Sequence, residues 1–324
     1  MVSIDTLHEK INLALAEIPH SNRPPELYKP INYSLSMGGK RMRPLLCMMA
    51  CEMFGKEPET SLQAALGIEI FHNFTLLHDD IMDNSPKRRG KTSVYKKWNT
   101  NIAILSGDTM FALAYDCLLK TESPYLSKVL KVFNKTAIEV CEGQQMDMNF
   151  ETSDNVKIAD YIDMIRLKTA VLLGASLKIG GIIGGANTQD LDHLYHFGVQ
   201  LGLSFQLKDD LLDVYGDEEK FGKVSGGDIN ANKKTYLFLK ALEEAKGELH
   251  SKLLTCYSNS DLNLDTKVKE VKEIYDHLDI KAFTEKEIER YYLEAISHLD
   301  HISVPEEQKE SLRTLALKLF KREK

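Results

Sequence analysis

The segment Phe74-Thr75-Leu76-Leu77-His78-Asp79-Asp80-Ile81-Met82-Asp83 ends an apolar stretch with three aspartates in the pattern D-D-x-x-D. The pattern returns later in the chain as Asp209-Asp210-Leu211-Leu212-Asp213, again after an apolar segment, Leu203–Leu207. Carboxylates are costly to bury unless a cation meets them. Two such motifs in matching apolar surroundings therefore indicate helices that hold acidic groups around a shared cation.

Helical spacing decides which of these carboxylates act together. Residues four apart lie one turn apart on nearly the same face of an α-helix, so Asp79 projects with Asp83 and Asp209 with Asp213. Mg²⁺ prefers oxygen ligands, keeps several waters and binds one or two carboxylates plus substrate phosphates. Two triads facing each other across a helical bundle would form such a site. One motif alone could equally be a solvated helix face, but the pair favours metal binding.

Helical periodicity dominates the rest of the chain. It is clearest in segments 7–16, 62–70, 129–140, 158–167, 191–207, 236–245 and 312–320. Strand-like alternation is scarce, and the absence of a G-x-G-x-x-G sequence or a P-loop excludes phosphate binding by a Rossmann or Walker loop. The chain has 324 residues, is 43% hydrophobic and contains no Pro/Gly/Ser-rich linker. These features predict an all-α, single-domain helical bundle spanning residues 1–324.

Composition narrows the class of protein further. The net charge of −7 argues against nucleic acid as the main partner. The five cysteines form no C-x-x-C pair, which indicates reduced thiols in a cytoplasmic protein. The N-terminal sequence Met1–Asp5 does not resemble a signal peptide. The most apolar run, 171–186, is interrupted by Lys178 and is too short to cross a bilayer, so we expect no transmembrane segment.

Basic segments accompany both acidic motifs. Met37–Pro44 combines two glycines, which let backbone N–H groups approach a phosphate, with three cations just before a helix. Pro86–Lys91 follows the first motif, and Phe221–Lys223 and Asn232–Thr235 follow the second. Any one of these could be a solvated surface patch. Together with the acids, they suit a diphosphate held by metal on one side and by Arg and Lys on the other.

Six motifs, in this order, resemble those of the all-trans polyprenyl (isoprenyl) diphosphate synthases over roughly residues 30 to 240. They are Gly38-Gly39-Lys40-Arg41-Met42-Arg43-Pro44; His72; Leu77–Asp83 with Arg88-Arg89-Gly90; Gly143-Gln144; Lys168-Thr169; and Phe205–Asp213 with Lys223, Gly227-Asp228 and Lys233. Each motif is weak alone, but jointly they are highly specific. The resemblance implies an isoprenyl diphosphate synthase domain, a helical bundle around a deep central cavity, and usually a homodimer.

The resemblance also implies a reaction and the residues that perform it. Three Mg²⁺ would bridge the diphosphate of an allylic substrate to the aspartates, chiefly Asp79, Asp83 and Asp209, with Asp80, Asp210 and Asp213 partly behind them. The same diphosphate would be held by Arg88, Lys168, Lys223 and Lys233, with Thr169 and Gln206 lining the reacting end. Isopentenyl diphosphate would be held by Lys40, Arg43, His72 and Arg89. Catalysis is thereby assigned to Asp79, Asp80, Asp83, Arg88, Lys168, Gln206, Asp209 and Lys223.

Product length is expected to depend on the helix that carries Asp79. Each residue back along that helix descends about 1.5 Å from the metals, so a bulky side chain there would act as a floor. Phe74, Thr75 and Phe71 occupy the relevant positions. An aromatic residue five positions before Asp79 resembles short-chain synthases, particularly the geranylgeranyl type. We therefore expect a C15 to C20 product and favour C20.

Three other functions remain open from the sequence. An all-α metal phosphohydrolase could be built around His78-Asp79, but it leaves the second acidic motif unexplained. A terpene cyclase would share the first motif, but its second metal motif normally mixes Asn/Asp, Ser/Thr and Glu. A non-catalytic subunit of a prenyl synthase tends to lose acidic motifs, whereas both are complete here.

The basic C-terminal tail, which includes Arg322, either closes over isopentenyl diphosphate or is frayed.

Overall fold

A computed structural model of the chain describes residues 2–18, 23–153, 155–216, 226–258 and 263–322. Its helices are α1 (Ile4–Ala16), α2 (Pro25–Leu35), α3 (Met42–Met53), α4 (Leu62–Met82), α5 (Val94–Lys97), α6 (Thr100–Leu119), α7 (Ser123–Thr152), α8 (Ile158–Ile165), α9 (Val171–Gly184), α10 (Thr188–Tyr215), α11 (Gly227–Asn230), α12 (Tyr236–Glu244), α13 (Glu248–Ser258), α14 (Leu264–His277), α15 (Ile280–Asp300) and α16 (Glu306–Phe320). Within the described ranges the only strands are β1 (Lys87–Arg88) and β2 (Lys91–Thr92), an antiparallel hairpin. The all-α prediction is confirmed.

Local sequence signals set several helix boundaries. The Ser3 hydroxyl accepts a hydrogen bond from the Thr6 N–H at the start of α1, and Asn99 accepts one from Ile102 at the start of α6. Pro25 is the first residue of α2, where its missing N–H costs nothing. The helical segment indicated by periodicity over residues 158–167 does not end there. It continues through Lys168-Thr169 in a π-helical turn (Arg166–Ala170) that joins α8 to α9.

The chain divides into two compact units. Whether these form the single domain expected from the sequence is not tested by this division, so that expectation stays a prediction. The first unit comprises Met1–Lys135, Ala175–Leu194 and Ser303–Ser311. Helices α4 and α6 pack closely within it. A Cβ added at Gly67 of α4 would lie only 2.8 Å from the Ala114 carbonyl oxygen of α6, so the glycine permits this approach. The fully buried side chains of this unit include Leu7, Ile11, Ile31, Leu46 and Ile68.

The second unit comprises Thr136–Gly174, Tyr195–Ile302 and Leu312–Lys324. Its apolar core draws on α8, α10 and α12 to α15, with Leu207, Leu237 and Tyr275 wholly inaccessible to solvent. The Ser204 hydroxyl donates to the Ile288 carbonyl at 3.0 Å and ties α10 to α15. Each unit therefore has its own apolar core, and each carries one acidic motif.

Two helical stretches are long and apolar enough to cross a membrane by length and composition. Ile158–Gly184 is 83% buried within the protein, as a core helix is, and it contains the apolar run noted in the sequence. Thr100–Leu119 is 39% buried and leaves much of its apolar surface exposed. Core helices of soluble proteins commonly meet the same criterion, so these two stretches are weak indications of membrane insertion.

Candidate active site

The first acidic motif lies at the C-terminal end of α4. Asp79 and Asp80 belong to the last turn, whereas Asp83, predicted to lie on the same helix, is its C-terminal cap. The Asp83 N–H donates to the Asp79 carbonyl oxygen at 2.8 Å. This bond has helical i to i+4 spacing and therefore keeps Asp83 one turn beyond Asp79, as the sequence predicts.

Asp80 is buried and forms an ion pair with Arg88. The Arg88 guanidinium donates from Nε at 2.9 Å and from Nη2 at 2.6 Å to one Asp80 oxygen. Burial raises the pKa of the Asp80 carboxyl, and the neighbouring Arg88 opposes that rise. The hairpin positions Arg88: Arg89 and Gly90 have φ values of 52° and 76° and form a two-residue turn of the kind that closes tight β-hairpins.

A group of cations surrounds His72 on the same side of α4. Arg43 Nη1 lies 3.1 Å from His72 Nε2, and because arginine has no acceptor, the imidazole nitrogen must accept this hydrogen bond. Burial lowers the pKa of His72 well below its usual value, and Arg43, Arg89, Arg88 and Arg41 lower it further. His72 is therefore neutral at physiological pH. The Nε of Arg43 is buried and has no hydrogen-bond partner among the described residues.

Arg89 reaches back to the loop that precedes α3. Its guanidinium donates to the carbonyl of Gly38. A Cβ at Gly39 would lie 2.7 Å from the Arg89 guanidinium carbon, so a side chain there would displace the guanidinium from this position. Lys40 follows on the same loop and is exposed. The four residues predicted to bind isopentenyl diphosphate thus come from one loop, two helices and one hairpin of the first unit. Arg43 contacts His72, and Arg89 contacts the loop that carries Lys40.

A small pocket lies between the acidic and the basic groups of the first unit. Asn73, Asp80, Arg88 and Arg89 are among the residues that line it. The pocket therefore brings a carboxylate and two guanidiniums together, and Asp80 and Arg88 are already paired there.

The π-helical turn of the second unit presents Lys168 and Thr169. Single π turns insert one extra residue into a helix and often occur at functional sites. Lys168 Nζ donates to Asp147 of α7 at 2.6 Å. Gly143 explains the close approach, because a Cβ at this position would overlap the backbone nitrogen of Lys168. The Gly143 of the Gly143-Gln144 motif thus has a packing role beside this turn.

Thr169 continues into a chain of hydrogen bonds that ends on Asp210. The Thr169 hydroxyl donates to Gln206 Oε1 at 3.4 Å, and Gln206 Nε2 donates to Asp210 Oδ1 at 3.2 Å. Tyr161 donates its hydroxyl to the other Asp210 oxygen. Burial, together with the nearby Asp228, raises the pKa of Asp210 to about 7, and the bonds from Tyr161 and Gln206 oppose the rise.

The remaining acids of the second motif have different partners. Asp209 forms an ion pair with Arg322, whose guanidinium lies 4.6 Å from the Phe205 ring centroid. Asp213 accepts a hydrogen bond from the Asp228 N–H at 2.9 Å, and Lys233 lies 3.5 Å from the Asp228 carboxylate. Lys223, predicted to hold diphosphate, lies outside the described residues.

Aromatic side chains pack below the first acidic motif. Phe74 stacks on Phe111 of α6 with ring centroids 5.2 Å apart, and Phe71 is fully buried 5.6 Å from both rings. Phe133 and Tyr115 complete this group, which we call the aromatic cluster. Thr75 instead donates its hydroxyl to the His72 carbonyl at 2.8 Å.

The ligand chemistry fits Mg²⁺ without a preformed cage. No group of three or more His, Cys, Asp or Glu side chains in the described ranges converges closely enough to hold a metal by itself. Mg²⁺ generally uses one or two carboxylates and completes its shell with water and substrate phosphates. Asp79 and Asp83, one turn apart, are carboxylates of the kind that such an arrangement uses.

A family model described as polyprenyl synthetase matches residues 24–278. The chain belongs to this family. Prenyl synthases are in general Mg²⁺-dependent.

Individual relatives cover most of the chain. It is 41% identical over 236 residues to a geranylgeranyl diphosphate synthase from Methanosarcina mazei, covering 72% of this chain and 73% of the relative. It is 34% identical over 305 residues to a short chain isoprenyl diphosphate synthase from Methanothermobacter thermautotrophicus, covering 94% and 89%. A crystal structure of a geranylgeranyl pyrophosphate synthase superposes with a TM-score of 0.95 at 40% identity and covers all of both chains.

Three contacts of this polyprenyl synthetase join partners that its sequence did not predict, although Asp147 itself is expected to hydrogen-bond to another helix. Tyr161 bonds Asp210, Arg322 pairs with Asp209, and Asp147 pairs with Lys168. Asp147 lies four residues after Gly143, one helical turn along α7, and this spacing could have indicated it. Tyr161 and Arg322 carry no such signal, because each meets its aspartate only through tertiary packing.

Proposed function

We propose that this polyprenyl synthetase condenses isopentenyl diphosphate head-to-tail with allylic diphosphates to give a short-chain all-trans prenyl diphosphate of C15 to C20, with geranylgeranyl diphosphate favoured. The observation that carries the proposal is the cation group around neutral His72. Arg43 and Arg89 are partly desolvated there, and the buried Arg43 Nε lacks a partner among the described residues. A diphosphate oxygen would satisfy that N–H.

The two acidic motifs are proposed to serve one allylic diphosphate through three Mg²⁺. Asp79, Asp83 and Asp209 would be the direct ligands, with Asp80, Asp210 and Asp213 supporting them. The bound ions would stabilise the negative charge that develops on the leaving diphosphate. Asp80 and Asp210 suit supporting roles, because Arg88 already occupies one and Tyr161 with Gln206 the other.

The chain's own residues would hold and orient both substrates. Arg88, Lys168, Lys223 and Lys233 would bind the allylic diphosphate, and Lys40, Arg43, His72 and Arg89 would bind isopentenyl diphosphate. The allylic C–O bond would break first, leaving diphosphate and an allylic cation. The isopentenyl double bond would then form a new bond to C1 of that cation. The isopentenyl unit would finally lose a proton to the departed diphosphate, or to a nearby hydroxyl or carbonyl, and the electrons of that C–H bond would form the new double bond. The Thr169 hydroxyl and the side-chain carbonyl of Gln206 would face the allylic cation.

The aromatic cluster is the proposed floor for the growing chain. Phe74 was expected to stop elongation, and its ring is supported by Phe71 and Phe111. Phe71 is supported in turn by Phe133. A ring that is packed against other rings resists displacement by a longer product better than an isolated side chain does. Close-packed interiors have few voids and low compressibility, so the ring has no free space to move into. A firm floor fits a short-chain product in the C15 to C20 range.

We also propose a homodimer in the cytoplasm, formed through the exposed face of α6. Ile104, Leu105 and Leu119 are 42%, 58% and 56% exposed on this apolar helix. Clustered exposed apolar side chains commonly mark protein interfaces. All five cysteines are free thiols, which fits a reducing compartment.

The test is an incubation of purified protein with Mg²⁺, isopentenyl diphosphate and, separately, dimethylallyl, geranyl and farnesyl diphosphates. Products are dephosphorylated and sized by chromatography, and we expect a discrete C20 alcohol. A product beyond C25 would keep the chemistry but contradict the aromatic floor.

Control variants separate the site from a general loss of activity. Asp79→Asn and Asp209→Asn should abolish elongation, whereas Asp265→Asn, which alters an exposed acid on α14, should not. Phosphate release without elongation would indicate a phosphohydrolase. Absence of turnover from folded wild-type protein would indicate a non-catalytic subunit.

A further inference from the structure

Arg41 and Glu69 form a buried ion pair to which the proposed reaction gives no role. Arg41 is 5% exposed and Glu69 is 1% exposed. Arg41 Nη1 donates to Glu69 Oε1 at 2.6 Å, and Nη2 donates to the Leu35 carbonyl at 2.6 Å. Nε donates to Asn12 at 3.2 Å. Three guanidinium nitrogens are thus engaged by protein groups, so Arg41 differs from Arg43, whose Nε has no partner among the described residues.

The backbone of Arg41 is held in an unfavourable conformation. Its φ and ψ are 47° and 35°, in the left-handed region, at the residue that precedes α3. A residue with a side chain persists there only where its surroundings impose the conformation. Gly38 and Gly39 also have positive φ, so the loop from Gly38 to Arg41 is shaped by an unusual backbone. The bonds made by the Arg41 side chain supply the anchor that this loop needs.

Glu69 contacts Arg41 and also acts electrostatically on two neighbouring arginines. It lies three residues before His72 on α4 and also accepts a hydrogen bond from Asn73 Nδ2 at 3.0 Å. Burial lowers the pKa of Arg43 to about 10, and Glu69 is the main influence opposing that change. Glu69 likewise opposes the lowering that burial causes for Arg89. Without an anion, these guanidiniums would repel one another in a poorly solvated site.

We propose that Arg41 and Glu69 are positioning residues that hold Lys40 and Arg43 in the geometry that isopentenyl diphosphate requires, an inference that rests on the proposed function. Anchoring Arg41 fixes the loop that carries Lys40 and the first turn that carries Arg43. Glu69 keeps Arg43 and Arg89 together before a diphosphate arrives. Groups ordered in advance lose less conformational entropy on binding, so the pair acts on affinity for one substrate.

The test compares Glu69→Gln and Arg41→Lys with wild type in steady-state kinetics, varying each substrate while the other is saturating. We expect the KM for isopentenyl diphosphate to rise about tenfold in each, as for loss of a charged hydrogen bond. The allylic KM and kcat should stay within about twofold of wild type. Calorimetric binding of isopentenyl diphosphate alone should weaken by the same factor as its KM.

The double variant asks whether the two residues act through one pair. If they do, combining Glu69→Gln with Arg41→Lys should raise the isopentenyl KM no further than the larger single effect. Asn12→Ala removes one hydrogen bond to Arg41 and leaves the ion pair, so it gives a milder variant if the others fold poorly. We expect it to raise the same KM about twofold.

Lys309→Met is the matched control, because it removes another buried cation of the first unit, paired with Glu306 of α16. It should leave the isopentenyl KM unchanged even if it lowers stability. The inference is overturned if Glu69→Gln leaves the KM for isopentenyl diphosphate unchanged or lowers it, or if it changes the isopentenyl and allylic KM values equally. In either case the proposed function still stands, provided that the wild-type protein elongates. A wild-type protein that does not elongate overturns both.

Discussion

The neutrality of His72 gives stability a defined pH dependence at the residue scale. Burial and the surrounding guanidiniums hold its pKa well below 6.5. Below pH 6.5 the unfolded chain binds a proton at His72 and the folded chain does not. The free energy of unfolding therefore falls as the pH drops below 6.5. His72→Gln keeps an acceptor for Arg43. Between pH 7 and pH 5.5, the free energy of unfolding should fall by about 1 kcal/mol less in this variant than in wild type.

Urea unfolding at the two pH values measures this difference. His196→Gln, which replaces an exposed histidine of α10, is the control for loss of an imidazole elsewhere. An identical pH dependence in His72→Gln and wild type would show that His72 titrates normally in the folded protein.

Phe74 is the single side chain whose loss should lengthen the product. Its ring stacks on Phe111 and borders His78, 4.7 Å away between centroids, directly beneath the first motif. Phe74→Ala should shift the product from C20 toward longer chains, and adding Phe111→Ala should shift it further, because both halves of the stack are then missing. Chromatography of dephosphorylated products gives the answer. The exposed Phe283→Ala is the control, and an unchanged C20 product from the double variant would place the floor elsewhere.

At the scale of elements, the π-helical turn depends on its contact with α7. Gly143 lies against the backbone of Leu167 and Lys168, so a methyl group there must push the turn away. We expect Gly143→Ala to cost about 1 to 3 kcal/mol of unfolding free energy through overpacking. It should also lower kcat by displacing Lys168. Urea unfolding and steady-state kinetics measure both effects.

The control for this change is Cys141→Ala, which lies on the same helix and is exposed. Such a surface substitution should change stability by no more than about 0.5 kcal/mol. A Gly143→Ala variant as stable and active as wild type would mean that the turn can shift without moving Lys168 from its working position.

At the scale of the whole molecule, the sequence predicts groups that local rules determine. The all-α class and the association of His72 with Arg43 and Arg89 follow from periodicity and from a motif pattern. Contacts that depend on tertiary approach were not predictable, and Arg322 beside Asp209 is the clearest case. The sequence does not reveal the π turn either. One inserted residue rotates the following side chains by about 100°, but α9 is buried on nearly every face, so the rotation leaves no visible break in the apolar pattern. Local spacing thus indicates which residue types act, whereas packing decides which partner orients each of them.

The exposed face of α6 leads to the prediction for the assembly. Leu105 is 58% exposed on a helix whose composition is apolar enough for a membrane, yet charged Asp108 and Asp116 share its exposed surface. A dimer interface accommodates scattered charges at its rim, whereas the bilayer core does not. Leu105→Glu should therefore convert a dimer into single chains, as measured by sedimentation. Leu293→Glu, at an equally exposed leucine of α15, should leave the mass unchanged. Wild-type protein that sediments as a single chain and is retained on lipid vesicles would instead make this face a membrane contact.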